Sequence, residues 1–231
     1  MNIVLGGIQP FTTIDYPNKL SAVLFLKGCP LRCPYCQNPV LQEISNESTL
    51  SWTVAEQFMQ SRKKLLDAIV FSGGEPLIHT GLKEAMLEAK ENGFLVGLHT
   101  SGVSYHALES VISLVDWVGF DVKTVFDKYE KRIPHSNSQQ VMQCLELLLK
   151  TNKDFEARTT LDPRVISVDE LRTLSKILSS LGVKNYAIQE YHTFPGEKNP
   201  PKKEEAMQYF NDELLDSIKC LFDKFDVRRS I

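Results

Sequence analysis

The sequence predicts an α/β fold, a partial (βα)6 barrel of the TIM type, folded as a single domain over residues 1–231. Two observations carry that prediction. Short apolar runs alternate with amphipathic helical stretches along the chain, and residues of catalytic character cluster where the apolar runs end. The runs are residues 21–26 (SAVLFL), 67–71 (DAIVF), 95–99 (LVGLH), 115–122 (VDWVGFDV), 154–159 (DFEART) and 185–189 (NYAIQ). Most are near-continuous rather than alternating, as expected of parallel strands covered on both faces. Residues 53–64, 82–92, 104–113, 139–150, 168–181 and 203–225 show helical spacing. Ser167 with Glu170 makes a capping box before residues 168–181; Gly182 ends that helix, as Gly93 ends the second. Six strand–helix units with right-handed crossovers give an open, partial barrel, whereas eight would close it. A flat doubly wound sheet would show the same pattern. In either architecture the chemistry belongs at the C-terminal ends of the strands.

The bulk composition narrows the function classes. The chain has 231 residues, 42% of them hydrophobic, with 26 basic against 29 acidic residues and a net charge of -3. Nothing in that balance points to nucleic acid or an anionic membrane. The N-terminal MNIVLGGIQPF lacks a basic region and a long apolar core, and no apolar run reaches membrane-spanning length, so a soluble cytoplasmic protein is expected. Of 5 cysteines, two lie apart in helical patterns with apolar neighbours; Cys144 and Cys220 read as buried, inert thiols. Trp52 and Trp117 read as core or helix-packing residues, and KNPPKKEE as a solvated turn before the last helix.

The remaining cysteines, Cys29, Cys33 and Cys36, sit in KGCPLRCPYCQNP after the first strand. A four-iron cluster normally takes four thiolates; three leave one iron open, and an open coordination position is where chemistry occurs. Gly28 lets the loop turn off the strand, and Pro30 and Pro34 stiffen it. A zinc site competes with this reading, but it usually requires a fourth Cys or His in fixed spacing, and the loop has no histidine. The other unusual residues fall at the same rim. SGGEP (72–76) follows strand two, HTSG (99–102) ends strand three, Asp121 and Lys123 end strand four, Arg158 ends strand five and Gln189 ends strand six. Asp121 and Lys123 alternate with Val122 and share a face.

The C-x3-C-x2-C loop with Tyr35 before its last cysteine, together with GGEP after the second strand, resembles the radical S-adenosylmethionine (SAM) enzymes. The similarity covers nearly the whole chain. IDYPNKLSAVLFLKGCPLRCPYCQNP, RTTLDP and DVK resemble most closely the activating proteins of glycyl radical enzymes, in particular those of anaerobic ribonucleoside-triphosphate reductase. The resemblance implies a [4Fe–4S] cluster on Cys29, Cys33 and Cys36, with SAM chelated to the open iron through its amino and carboxylate groups. Reductive cleavage then gives methionine and a 5′-deoxyadenosyl radical, which takes a hydrogen atom from a glycine of the partner enzyme. It further implies a flavodoxin-like electron donor.

The resemblance also assigns contacts. Gly73, Gly74 and Glu75 would meet the methionine ammonium group, although the same residues could form an ordinary tight turn with Pro76 starting a helix. Thr100 and Ser101 would touch SAM. Asp121 and Lys123 would stand by SAM or the substrate peptide, or else form a salt-bridged rim. Arg158 would clamp the SAM carboxylate or pair with Glu156 or Glu190. Tyr35 would serve the adenine pocket, with Gln189 and His192 as weaker candidates for the adenosine end. Many relatives carry Asp where His99 stands, and in some that Asp helps to bind a monovalent cation with the counterpart of Asp121; His99 places that cation site in question. Two rival functions remain open: radical SAM chemistry on a small molecule such as a deazaguanine precursor, and a non-catalytic iron–sulfur protein.

Overall fold

The computed structural model describes residues 2–45, 50–194, 197 and 199–229. Eight strands form one sheet in strictly sequential order: β1 (Leu5–Thr12), β2 (Ser21–Leu26), β3 (Ala68–Gly73), β4 (Leu95–Thr100), β5 (Trp117–Asp121), β6 (Asp154–Leu161), β7 (Asn185–Glu190) and β8 (Lys224–Arg228). β1 pairs antiparallel with β2, and every later pair is parallel. A doubly wound sheet reverses its strand order at a switch point. Sequential order with right-handed crossovers puts the helices on one face and curls the sheet, so the partial barrel is the architecture present.

The helices are α1 (Trp52–Arg62), α2 (Leu82–Glu91), α3 (Tyr105–Val111), α4 (Tyr129–Arg132), α5 (Ser138–Lys150), α6 (Val168–Leu181), α7 (Lys203–Met207) and α8 (Asp212–Lys219). α6 starts at the capping box of Ser167 and Glu170 and ends at Gly182 with φ of 98°. Trp52 joins α1 to α2 by donating its indole N–H to Glu88.

The strand period of two divides the sheet into two faces with different contents. One face, with Leu24, Phe71, Leu98, Phe120, Ala157 and Ile188, packs under the helices in the main core. The other lines the barrel interior. Val23, Val70 and Trp117 there join Tyr16 in a small apolar floor. Tyr16 comes from the turn between β1 and β2, which folds up into the open barrel and packs at a tilt against Trp117, with ring centroids 5.4 Å apart. Above this floor the interior turns polar, with His99, Asp121, Arg158 and Gln189.

Three expectations are corrected. β1 and β8 flank the six expected strands; β8 alternates charged and apolar residues at a half-exposed edge and reads from sequence as the end of a helix. The expected helix over residues 203–225 is instead α7, a 3-10 turn (Gln208–Phe210), α8 and β8, because Asn211 caps a new helix by accepting from Leu214 N–H. Cys220 is exposed rather than buried, since it terminates α8; Cys144 is buried as expected.

Candidate active site

The carboxyl ends of β2 to β8 surround a cavity of about 470 Å³. Cys29, Cys33, Tyr35, Cys36, Gly73, Gly74, Glu75, Thr100, Ser101, Asp121, Lys123, Arg158 and Gln189 all line it. The size suits a small cofactor.

The cysteine loop leaves β2 at Gly28, whose φ of 112° is a left-handed conformation open to glycine. Backbone bonds then tie it down: Gly28 N–H to Leu41 O (2.7 Å), Arg32 N–H to Pro134 O (3.2 Å) and Cys36 N–H to Cys33 O (3.2 Å). The Gln37 amide donates to the His192 carbonyl at 2.5 Å, linking the loop to the segment after β7. None of the three thiols is in a disulfide. Burial pushes the Cys29 thiol up to about 12, with the Glu75 charge adding to it, and burial likewise raises Cys33. Thiolate ligation at these positions therefore requires a cation that displaces the protons.

The glycine pair after β3 is fixed by the loop beside it. A Cβ at Gly74 would lie 2.2 Å from Gly28 O, and one at Gly73 would lie 2.3 Å from Leu26 N. The closeness lets Gly74 N–H donate to Leu26 O and Glu75 N–H to Gly28 O, each at 2.8 Å. Pro76 opens a 3-10 turn, Pro76–Ile78, capped by the Glu75 side chain.

That carboxylate is fully engaged by the protein. Glu75 Oε1 accepts from Leu77 N–H (3.1 Å) and the Thr100 hydroxyl (2.6 Å); Oε2 accepts from Ser101 N–H (2.9 Å) and the Ser101 hydroxyl (2.6 Å). A carboxylate offers about four acceptor positions. Glu75, buried at 1% exposure, thus joins the end of β3 to the end of β4. Its oxygens are held by Thr100, Ser101 and Leu77.

The opposite wall is built from charge. Arg158 Nε donates to Asp121 at 3.0 Å and Lys123 Nζ lies 3.3 Å from the same carboxylate. Arg158 lies within β6 rather than at its end, because the strand continues to Leu161. Neither Glu156 nor Glu190 pairs with it: Glu156 takes Arg228 at 2.6 Å, and Glu190 has Arg229 at 4.0 Å. Gly119 makes room for the guanidinium, since a Cβ there would lie 2.6 Å from its Cζ. Burial alone would raise the Asp121 carboxyl, but Arg158 and Lys123 outweigh it and take it down to about 2. Burial also opposes the charge on Lys123, but the ionised Asp121 carboxylate beside it outweighs burial and keeps it protonated. Lys123 Nζ stands 5.8 Å from the Tyr35 ring centroid.

His99 donates from Nε2 to Asp15 O (2.8 Å) and meets Trp117 edge-on. Burial, then the Arg158 charge, lowers it to about 3, so it is a neutral polar packing residue. With Asp121 already neutralised by two cations and His99 neutral, these two positions favour no further cation. His192 lines the cavity and contributes its carbonyl to Gln37.

Sequence reasoning missed Ile14, Gln37, Glu190, Arg228 and Arg229, which also line the cavity. The two arginines ride on β8, and Ile14 on the turn that enters the barrel. The alternation in KFDVR was the available signal for β8.

A trithiol loop at the strand ends of a partial barrel, facing one cavity, defines a radical enzyme of the iron–sulfur type. Residues 23–165 match the radical SAM superfamily, and the chain belongs to it. Within it the chain groups with the activating enzymes of glycyl radical proteins. A Methanocaldococcus jannaschii protein bearing the name glycyl-radical enzyme activating enzyme is 36% identical over 202 residues, 83% of this chain and 81% of that one. A Streptococcus mutans pyruvate formate-lyase-activating enzyme is 24% identical over 205 residues, 82% of this chain and 78% of that one. Among solved structures, Streptococcus suis SuiB bound to SAM shares the fold with a TM-score of 0.69 at 12% identity, over 88% of this chain. The chain spans about half of SuiB, 48% of its length. A domain of a Bacteroides vulgatus pyruvate formate-lyase-activating enzyme gives 0.54 at 14% identity, over 70% of this chain and 98% of that domain.

The cofactors of the superfamily are a [4Fe–4S] cluster and SAM, and the donor set fits them: three free thiols without a fourth, beside a cavity that carries both charge signs. Among the described residues no helix is long and apolar enough to cross a membrane.

Proposed function

We propose that this protein activates an anaerobic ribonucleoside-triphosphate reductase by generating a glycyl radical on it. The observation that carries the reading is the convergence of the cysteine loop and every predicted SAM-site residue on one cavity. Cys29, Cys33 and Cys36 hold three irons of the cluster.

When bound, the cluster supplies the electron that breaks a SAM C–S bond, giving methionine and a 5′-deoxyadenosyl radical. The chain's own residues bind, orient and exclude water. Thr100 and Ser101, fixed by Glu75, present their remaining polar atoms with the Gly73–Gly74 backbone to the methionine end. Arg158, anchored by Asp121 through Nε and by Gly119 O through Nη2, has no bond from Nη1 among the described residues and offers it to a carboxylate. Lys123 adds a fixed positive charge, and Tyr35 and Gln189 border the adenosine end. A flavodoxin-like protein delivers the electron, and the setting is cytoplasmic.

The partner is tested by EPR. Reduced, reconstituted protein with SAM is mixed with an anaerobic ribonucleotide reductase or with a pyruvate formate-lyase, the partner class that several relatives' names indicate. A glycyl radical doublet on the reductase alone supports the proposal. A doublet on the lyase alone transfers the activity to that partner. SAM turnover on a deazaguanine-type small molecule, with no radical on either protein, overturns the activase reading.

A further inference from the structure

Arg164, in the loop between β6 and α6, ties together the cysteine loop and the segment after β7. Its guanidinium makes a two-pronged bond to Asp162, with Nε 2.9 Å from Oδ1 and Nη2 2.5 Å from Oδ2. Nη2 also donates to Glu197 Oε1 at 2.8 Å and lies 3.5 Å from Pro34 O in the cysteine loop. Nη1 donates to Asn199 O at 3.3 Å, and Cζ stands 5.2 Å from the centre of the Tyr191 ring. The Tyr191 hydroxyl in turn donates to Glu197. Both carboxylates are buried, the Asp162 side chain at 0% and the Glu197 side chain at 4% exposure. A planar fork that serves several acceptors at once is what this junction requires.

Arg164 is not among the described residues that line the cavity, but the neighbours of the residues it holds are. Pro34 lies between Cys33 and Tyr35, and Tyr191 between Glu190 and His192; all four of these neighbours line the cavity. The Gln37 amide, donating to His192 O, ties the same two segments a second time from the cavity side. Four strands separate β2 from β7 in the sheet. The cysteine loop and the segment after β7 therefore meet by bridging the barrel mouth, and these bonds set how far apart they stand. Tyr35 brings an aromatic face to this part of the cavity and Gln37 an amide, groups that suit a flat, uncharged heterocycle. Asp121 and Arg158, on β5 and β6, suit a charged amino-acid head group instead.

We propose that Arg164 is a positioning residue for the adenosine end of SAM. By holding Pro34, Tyr191 and Glu197 it fixes the spacing of the cysteine loop and the segment after β7, and so the width of the cleft in which the purine lies. The inference rests on the reading that this cavity binds SAM, and it adds the residue that shapes the adenosine half from outside the cavity.

Reconstituted wild type, Arg164→Lys and Glu197→Ala are compared for binding of two probes. S-adenosylhomocysteine, followed by equilibrium dialysis, carries the adenosine; methionine, followed by its effect on the EPR signal of the reduced cluster, does not. Iron content is measured on each protein. Lys keeps a positive charge for the two carboxylates but lacks the fork that also reaches Pro34 and Asn199. Glu197→Ala leaves Arg164 paired with Asp162 and cuts the tie on the side of the segment after β7, so it decides the question if Arg164→Lys does not fold. Both variants are expected to keep wild-type iron and to bind methionine within about twofold of wild type, while S-adenosylhomocysteine weakens ~10-fold. A general loss of structure would not separate the two probes. Equal weakening of both overturns the proposal, and so does unchanged S-adenosylhomocysteine binding in a folded variant or loss of iron from both variants. A wild type that binds neither probe refutes the SAM-site reading instead, so the two failures are distinguishable.

Discussion

The two walls of the cavity are built by different physics. The wall from β2 to β4 is made of backbone and small side chains: Gly28, Gly73 and Gly74 bring two loops into main-chain contact, and Glu75 spends its whole carboxylate on Leu77, Thr100 and Ser101. The wall from β5 to β8 is made of ions: Asp121 between Arg158 and Lys123, and Glu156 with Arg228. A backbone wall fixes position and tolerates almost no added atom. An ionic wall supplies charge to a ligand and responds to pH and to single-charge removal.

The largest expected effect breaks the backbone wall. Gly74→Ala places a methyl group 2.2 Å from a carbonyl that cannot move away on its own. The Glu75–Gly28 bond should be lost, with a fall of about 3 kcal/mol in unfolding free energy by urea titration. Unchanged stability would show that the close approach is dispensable.

The ionic wall should yield function before fold. Arg158→Ala should weaken SAM binding by ~10- to 100-fold, the worth of one or two charge-assisted hydrogen bonds, while the iron content stays at the wild-type level. Equilibrium dialysis and iron analysis check the two halves. Gly119→Ala, which crowds the guanidinium without deleting it, should show a smaller loss in the same direction.

The smallest effect lies where the walls meet, at His99. In the fold the imidazole stays neutral down to about 3, against 6.5 in the unfolded chain. Below 6.5 the unfolded chain therefore takes up a proton that the fold refuses. The stability is fully present above 6.5 and is lost as pH falls toward 3. The cost between pH 7 and pH 5 should be about 2 kcal/mol, and His99→Gln should remove most of that slope in urea titrations at the two pH values.

The contrast also explains what the sequence makes legible. The backbone wall is written in local motifs, since a Cys–Pro–Gly loop and a GGEP turn carry their own geometry, and parallel strands read as apolar runs. The ionic wall depends on partners far apart in sequence. Arg158 was recognised as a candidate, but its choice of Asp121 over Glu156 and Glu190 follows from strand register and from the space at Gly119, neither of which composition encodes. β8 was hidden for a related reason. It is a short edge strand, stabilised by pairing with β7 rather than by its own hydrophobicity, so Arg228 and Arg229 went unnoticed. The turn carrying Ile14 and Tyr16 became the barrel floor only once the sheet had curled around it.

The central claim, that these three cysteines make a SAM-cleaving cluster, is tested most directly by anaerobic reconstitution, reduction and assay for 5′-deoxyadenosine, with Cys33→Ala alongside. The account predicts a four-iron cluster and 5′-deoxyadenosine from wild type, and loss of both from the variant. An iron content that survives Cys33→Ala, or a complete cluster that gives no 5′-deoxyadenosine with any reductant, would contradict it.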